Sequence, residues 1–168
     1  MTIVEVLFVM LGVISVGSAL LVAVSDNLVH CALWLVVTLG ALAGCYLLLA
    51  AEFVAWVQVL VYLGAVVVLL LFALMLTRAP TGSVPDLTGR NQVVAALTAT
   101  ATAGALVVCF AAGFGGSRID VGANDLGRSA SLGGSIFSSW VLPFEALSVV
   151  LLAALVGAIV VSRRQEPD

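Results

Sequence analysis

The feature that most constrains this sequence is an uncharged apolar run that follows Glu52 and continues for about 25 residues, to Thr77. At a rise of about 1.5 Å per residue, a helix of that length exceeds the roughly 30 Å thickness of the hydrocarbon layer of a membrane. Tyr62 and Gly64 lie near the middle of the run. An unpaired hydroxyl group is costly in hydrocarbon, and glycine weakens a helix by roughly 1 kcal/mol relative to alanine. The run therefore predicts a membrane-spanning helix with an adaptable point near mid-depth.

The composition extends this prediction to the whole chain. Of the 168 residues, 63% are hydrophobic and 9% are charged, and the mean hydropathy is +1.29. These values are typical of an all-α, polytopic membrane protein. The apolar and polar segments predict five spanning helices and two loops in one membrane domain, 1–168: helices 3–24, 28–50, 53–77, 93–114 and 141–162, and loops 79–92 and 115–139. A net charge of −3 without a basic run gives no indication of a nucleic-acid partner.

Few residues of this chain could bind a metal or a cofactor. His30 is the only histidine, so the chain cannot supply two axial histidines to a haem. The three cysteines, Cys31, Cys45 and Cys109, lie far apart in apolar segments, and we expect them to be small buried hydrophobic residues. No glycine-rich nucleotide-binding motif is present. We therefore expect no catalytic residue, no metal site and no cofactor bound by this chain.

Two polar residues of the predicted third helix, Gln58 and Tyr62, are four positions apart and so share one face of a regular α-helix. Gln58 can hydrogen-bond to Tyr62 or to a neighbouring helix. In the second predicted helix, Gly40 and Gly44 form a GxxxG pattern. This pattern is either a surface for close helix packing or a consequence of a composition rich in small residues.

Two carboxylates lie near the ends of predicted helices. Glu52 precedes the third helix, and Glu145 follows Pro143 at the start of the fifth. One interpretation is that both are first-turn glutamates favoured by the helix dipole, with proline near the first helical position. The alternative is that they are paired, functional carboxylates.

All six positively charged residues are arginines, and their distribution predicts the orientation. Four lie on the side that holds the C-terminus: Arg78, Arg90, Arg163 and Arg164. The other two share a loop with two aspartates on the opposite side. Because positive residues concentrate on the cytoplasmic side, we expect the N-terminus outside and the C-terminus in the cytoplasm.

Several of these segments resemble a known family. The stretch Glu52-Phe53, followed by the residues at 57–69 (VQVLVYLGAVVVL), resembles the third helix of subunit J of the proton-pumping NADH-quinone oxidoreductase. The mitochondrial counterpart is NADH dehydrogenase subunit six of respiratory complex I. Shorter likenesses support this one: Asn27-Leu28-Val29-His30, Ala32-Leu33, Pro143-Phe144-Glu145, Ser148 and Gly157-Ala158-Ile159.

The resemblance implies a five-helix subunit in the membrane arm of the complex, in a bacterial cell membrane. It would pack beside the quinone-module subunit and small neighbouring subunits. NADH, FMN, iron–sulfur clusters and quinone would be bound by those partner subunits. The resemblance also implies a non-redox role in which the chain couples quinone reduction to proton movement.

The coupling role rests on the third helix, which in this family can carry a π-bulge, here around Tyr62 to Val66. Switching between bulged and regular forms would open and close a water path to glutamates of a neighbouring subunit. The residues that would form the coupling helix are Gln58, Tyr62, Gly64, Ala65 and Val66. The sequence departs from the family at Leu28, where many members have proline, and at Gln58, where some have glutamate. Gln58 therefore cannot carry a proton.

Other functions remain open alternatives. A small independent transporter should show a charge near mid-bilayer or two inverted repeats, and neither is present in the sequence. The chain could instead be a J-like subunit of a related membrane antiporter or hydrogenase-type complex. It could also be a purely structural scaffold subunit, which differs only in whether the third helix moves.

Overall fold

The computed structural model describes residues 3–76, 92–116 and 127–163 of the chain, and nearly all of these are helical. Five helices are long and apolar enough to cross a membrane, and we name them the first to fifth spans: Ile3–Val24, Leu28–Leu48, Glu52–Leu76, Gln92–Phe114 and Val141–Arg163. A short helix, Ser129–Ser138, precedes the fifth span. The prediction of an all-α protein with five spans is confirmed.

A three-residue break joins the first two spans, at the polar sequence 25–27. The side chain of Asn27 accepts a hydrogen bond from the backbone N–H of Val29 at 3.0 Å, and it so caps the second span. The thiol of Cys31 donates to the carbonyl oxygens of Val22 and Ser25, at 3.4 and 3.1 Å. These bonds occupy carbonyl groups that the end of the first span leaves free.

The second span ends in a tight turn with an unusual backbone angle. The N–H of Ala51 donates to the carbonyl of Tyr46 at 2.9 Å, and the N–H of Ala50 donates to that of Leu47 at 3.1 Å. This pair of bonds is a Schellman motif, which places its penultimate residue in the left-handed region. Ala50 has a φ of 57°, the only positive φ among the described residues. The motif explains why the helix stops at Leu48 rather than at the predicted residue 50.

The core lies along the second span, which packs against both the first and the third. Small residues allow helix backbones to approach closely in membranes. The buried residues of the second span are all small: Ala32, Thr38, Ala41, Ala43 and Cys45. The hydroxyl groups of Ser18 and Thr38 form a buried hydrogen bond of 2.8 Å between the first and second spans. One hydroxyl group donates this bond, and the other, which accepts it, can donate to a carbonyl oxygen of its own helix: that of Ile14 for Ser18, at 2.7 Å, or that of Trp34 for Thr38, at 3.0 Å.

The two glycines of the GxxxG pattern face different neighbours. A Cβ atom on Gly44 would lie 2.9 Å from Cδ1 of Leu11 in the first span. A Cβ atom on Gly40 would lie 3.6 Å from Cδ1 of Leu63 in the third span. The close-packing interpretation of the pattern therefore holds, but the two positions serve two separate helix contacts.

The chain divides into two compact units, Met1–Asn124 and Asp125–Asp168. In the second unit, the short helix Ser129–Ser138 replaces part of the predicted loop 115–139. Its serines and glycines are weak helix formers, but the ring of Phe137 packs edge-on against that of Phe144 at 5.4 Å. This contact with the fifth span outweighs local propensity.

The remaining sequence predictions concern a loop, the number of domains and the cysteines, and their outcomes differ. The predicted loop 79–92 lies outside the described residues except at its last position, and the single-domain prediction stays a prediction. Among the cysteines, Cys45 is buried as expected, Cys31 is half-buried, and Cys109 is exposed on the fourth span. The exposure of Cys109 corrects the expectation that all three are buried.

Candidate functional site

The third span is not a regular α-helix. It is α-helical over Glu52–Val57, π-helical over Gln58–Val67 and α-helical again over Val68–Leu76. In a π-helix the backbone hydrogen bonds join residues five positions apart instead of four, and such segments occur often at functional sites. The predicted bulge from Tyr62 to Val66 is confirmed as a π-helical piece, and the segment extends beyond it in both directions.

The π-helical segment changes which residues face the second span. Gln58 and Val67 are its buried members, with 7% and 1% of their surfaces exposed. They are nine positions apart, which is about two and a half turns of an α-helix, so a regular helix would place them on opposite faces. With one residue accommodated in the wider π turns, the spacing corresponds to eight α-helical residues, and the two positions lie within about 80° of each other. Both side chains can be buried together only because the segment is π-helical.

The two polar residues that the sequence placed on one face differ in burial. Gln58 is buried, whereas Tyr62 is 49% exposed. No hydrogen bond joins their side chains, and neither bonds to another residue within the described part of the chain. Of the two predicted partners of Gln58, Tyr62 and a neighbouring helix, neither is hydrogen-bonded to it among the described residues.

Gly64, Ala65 and Val66 lie on an exposed face of the segment. A Cβ atom on Gly64 would meet the carbonyl oxygen of Val59 at 3.4 Å, and no other atom within 4 Å. Within the described part of the first compact unit, no other helix covers this face.

The two candidate carboxylates occupy different kinds of position. Glu52 lies in the first turn of the third span and is exposed, which agrees with the first of the two interpretations. Glu145 is the fifth residue of a span that begins at Val141, so it lies in the second turn and not in the first. Pro143 is the third residue of that span. Neither carboxylate forms an ion pair with a described residue.

Sequence reasoning missed Leu63 and Val67, which shape this region, and it did not pair Gly40 with Leu63. The first two are apolar residues in an apolar helix, so composition gives no signal for them. A nine-residue spacing between buried positions becomes meaningful only once the π-helical hydrogen bonding is known. Within the described ranges, no group of three or more His, Cys, Asp or Glu side chains could hold a metal ion.

Comparison with known proteins places this arrangement in a family. The family described as NADH-ubiquinone/plastoquinone oxidoreductase chain 6 matches residues 18–161. The chain is 37% identical to F(420)H(2) dehydrogenase subunit J of Methanosarcina mazei, over 93% of this chain and 89% of the relative. It is 38% identical to NAD(P)H-quinone oxidoreductase chain 6 of Leptolyngbya boryana, over 94% and 79%.

A third relative carries the name given to the bacterial subunit. NADH-quinone oxidoreductase subunit J of Rhodobacter capsulatus is 32% identical, and the alignment covers all of this chain and 86% of the relative. The residues matched by the family cover the end of the first span, all of the second, third and fourth spans, and nearly all of the fifth. From the five spans, the π-helical third span and these matches, we conclude that the chain belongs to the chain 6, or subunit J, family and is a multi-pass membrane subunit of an NADH-quinone oxidoreductase of the complex I type.

Proposed function

We propose that the third span couples quinone reduction to proton movement by switching between a π-helical and a regular α-helical form. The observation that carries this proposal is the joint burial of Gln58 and Val67 against the second span. A regular helix cannot bury both, so a change of form must exchange one set of side chains at this interface for another.

The beginning of the third span would stay in place during such a change. Ala55 is 2% exposed and packs with the second span, ahead of the π-helical segment. If this part stays in place, loss of the wider turns rotates Val68–Leu76 by roughly 100°, the angle of one α-helical residue. Four valines, which are β-branched, and Gly64 make the segment a weak helix former. A small energy difference between the two forms follows from that weakness.

The side chains of the segment would act on water and on neighbours rather than as proton carriers. Gln58 and Tyr62 offer an amide and a hydroxyl group without a partner among the described residues. Such groups need hydrogen bonds inside a membrane, and water or another subunit can supply them. Glu52 and Glu145 are exposed carboxylates that a partner subunit would pair. Gly64, Ala65 and Val66 would then present an open, compliant face to that partner.

The assembly and orientation follow the same proposal. The partners are the other subunits of the complex, and we infer that they include the quinone-module subunit and the small subunits beside it. Those subunits would hold NADH, FMN, the iron–sulfur clusters and quinone. We further infer a bacterial cell membrane, with the N-terminus outside and the C-terminus in the cytoplasm. The arginine distribution and the subunit J relatives support these inferences.

A single-residue deletion tests the proposed switch. A π-helical segment contains one residue more than the α-helix that would join the same two ends. Deleting Gly64 should therefore leave a regular helix whose two ends keep their present orientation but which cannot switch. We expect the assembled complex to pass electrons from NADH to a soluble acceptor at the parental rate. Quinone reduction and proton pumping should fall together, by about ten-fold or more.

The matched control is Gly64→Ala, which keeps the chain length. Its methyl group would lie 3.4 Å from the carbonyl oxygen of Val59, an ordinary contact, so the π-helical form remains accessible. This variant should retain most of the activity. Parental pumping by the assembled deletion variant would contradict the switch and favour a purely structural scaffold subunit.

A second candidate function differs in the electron donor. The Methanosarcina mazei relative is named as a subunit of an F(420)H(2) dehydrogenase and is as similar to this chain as the quinone oxidoreductase relatives are. The chain would then be a J-like subunit of a related membrane complex. Purification in mild detergent, followed by identification of the copurifying dehydrogenase subunits, separates the two. NADH-binding subunits support the first candidate, and their replacement by another donor module supports the second.

A further inference from the structure

We propose that Gly40 of the second span is a positioning residue for the proposed switch: its missing side chain leaves a site that holds Leu63 in the π-helical form and must admit Tyr62 in the regular form. This inference rests on the proposed function, because it assigns the residue that makes both forms of the third span fit against the second. Gly40 lies outside the third span itself.

The contact is direct in the structure. Cδ1 of Leu63 lies 3.6 Å from the point where a Cβ atom of Gly40 would be. Both residues are half-buried, at the contact between the second span and the π-helical segment. Leu63 is therefore the side chain of the third span that covers Gly40.

One hydrogen-bonded turn of helix links Leu63 to the buried Gln58. In the π-helical form, a turn that starts at Gln58 closes five residues later, at Leu63. In an α-helix it closes four residues later, at Tyr62. With the beginning of the third span held in place, Tyr62 takes the position of Leu63 when the segment becomes regular. An aromatic ring then lies over Gly40 where a leucine side chain lay before.

The two forms differ in how much room they leave at Gly40. A methyl group there would meet Leu63 at 3.6 Å, an ordinary van der Waals distance, so the π-helical form tolerates alanine. The larger ring of Tyr62 needs the space that this methyl group would fill. Gly40→Ala should therefore leave the described structure unchanged and disfavour the regular form.

Quinone reductase activity of the assembled complex tests this asymmetry. We expect Gly40→Ala to lower quinone-dependent turnover by about five-fold or more, with electron transfer to a soluble acceptor unchanged. The control is Gly104→Ala in the fourth span, where a Cβ atom would meet nothing within 4 Å. It has the same effect on helix propensity, and turnover should stay at the parental rate. Electron cryo-microscopy of Gly40→Ala should show the third span only in the π-helical form.

A second substitution identifies the side chain that the methyl group obstructs. In a Tyr62→Leu background, Gly40→Ala should lower turnover no further, because no ring has to enter the site. If Tyr62→Leu alone abolishes turnover, electron cryo-microscopy of the double variant replaces the activity measurement. We then expect the third span of the double variant to be seen in the regular form.

Three results would overturn the inference. The first is that Gly40→Ala behaves like Gly104→Ala, and the second is that its effect persists unchanged in the Tyr62→Leu background. The third is failure of Gly40→Ala to assemble, which would contradict the 3.6 Å clearance. These results are separable from failure of the proposed function. If deletion of Gly64 abolishes coupling while Gly40→Ala has no effect, the switch stands and only the role of Gly40 is lost.

Discussion

Ala50 carries a local strain that one substitution can relieve. Its φ of 57° lies in the left-handed region, which disfavours residues with a Cβ atom by roughly 1 kcal/mol or more. Glycine is the usual residue at this position of a Schellman motif. We expect Ala50→Gly to raise the free energy of unfolding by about 0.5–1 kcal/mol, measured by denaturant titration of the detergent-solubilised chain.

The adjacent alanine is the control for this change. Ala51 has a φ of −91°, so glycine gains no conformational advantage there. Ala51→Gly should lower stability by a few tenths of a kcal/mol or more, because it increases the entropy of the unfolded chain. Equal effects of the two substitutions would contradict the motif.

At the scale of elements, the first two spans are joined by a polar contact inside an apolar interface. The Ser18–Thr38 hydrogen bond spans the two helices at 2.8 Å. Interhelical hydrogen bonds in membranes contribute about 0.6 kcal/mol on average and up to about 1.7 kcal/mol. A double-mutant cycle with Ser18→Ala and Thr38→Val should give a coupling energy in that range, measured as the free energy of unfolding in mixed detergent micelles.

Ser148 supplies the comparison for this cycle. Its hydroxyl group bonds only to the carbonyl of Phe144 in its own helix, at 3.1 Å. Ser148→Ala combined with Thr38→Val should therefore show no coupling, since the two residues share no contact. A coupling energy near zero for Ser18 and Thr38 would mean that their hydrogen bond adds nothing to the hairpin.

The third span shows why the sequence pattern of a helix can fail to indicate its hydrogen bonding. Almost all of its residues are apolar, so no amphipathic stripe records which face is packed. Tyr62 and Gly64 indicated a weak point and the family resemblance indicated a bulge, but neither gave the extent of the π-helical segment. That extent depends on the burial of Gln58 and Val67 against the second span.

The whole molecule exposes most of its apolar surface. None of the residues in the most apolar windows of the fourth and fifth spans is buried within the chain. Lipid covers such surfaces in a single subunit, and helices of other subunits cover them in an assembly. This exposure agrees with the membership of a multi-subunit complex that the comparisons show.

The orientation of the molecule gives a prediction at this scale. The arginine distribution predicts the loop 79–92 in the cytoplasm and the loop 115–139 outside. A membrane-impermeant thiol reagent applied to intact cells should therefore label Asn124→Cys and leave Gly82→Cys unlabelled. Labelling of Gly82→Cys in intact cells would reverse the orientation.

The labelling experiment needs a background without native cysteines. Cys45→Ala and Cys109→Ala remove thiols that make no hydrogen bond to a described residue. Cys31 is better replaced by serine, because its thiol donates to the carbonyl oxygens of Val22 and Ser25. Serine keeps a donor at that position.

The sequence by itself determined the number and placement of the spans. Its apolar runs are long enough to cross a bilayer, and polar breaks separate them, such as the one that ends at Asn27, the cap of the second span. Few other folds are compatible with this pattern. Only the tertiary structure decided which residues of those spans meet. The burial of Val67 beside Gln58, and the division of Gly40 and Gly44 between two neighbours, depend on how three apolar helices pack. In such helices every face is compatible with lipid, so the sequence carries little record of the face that packs.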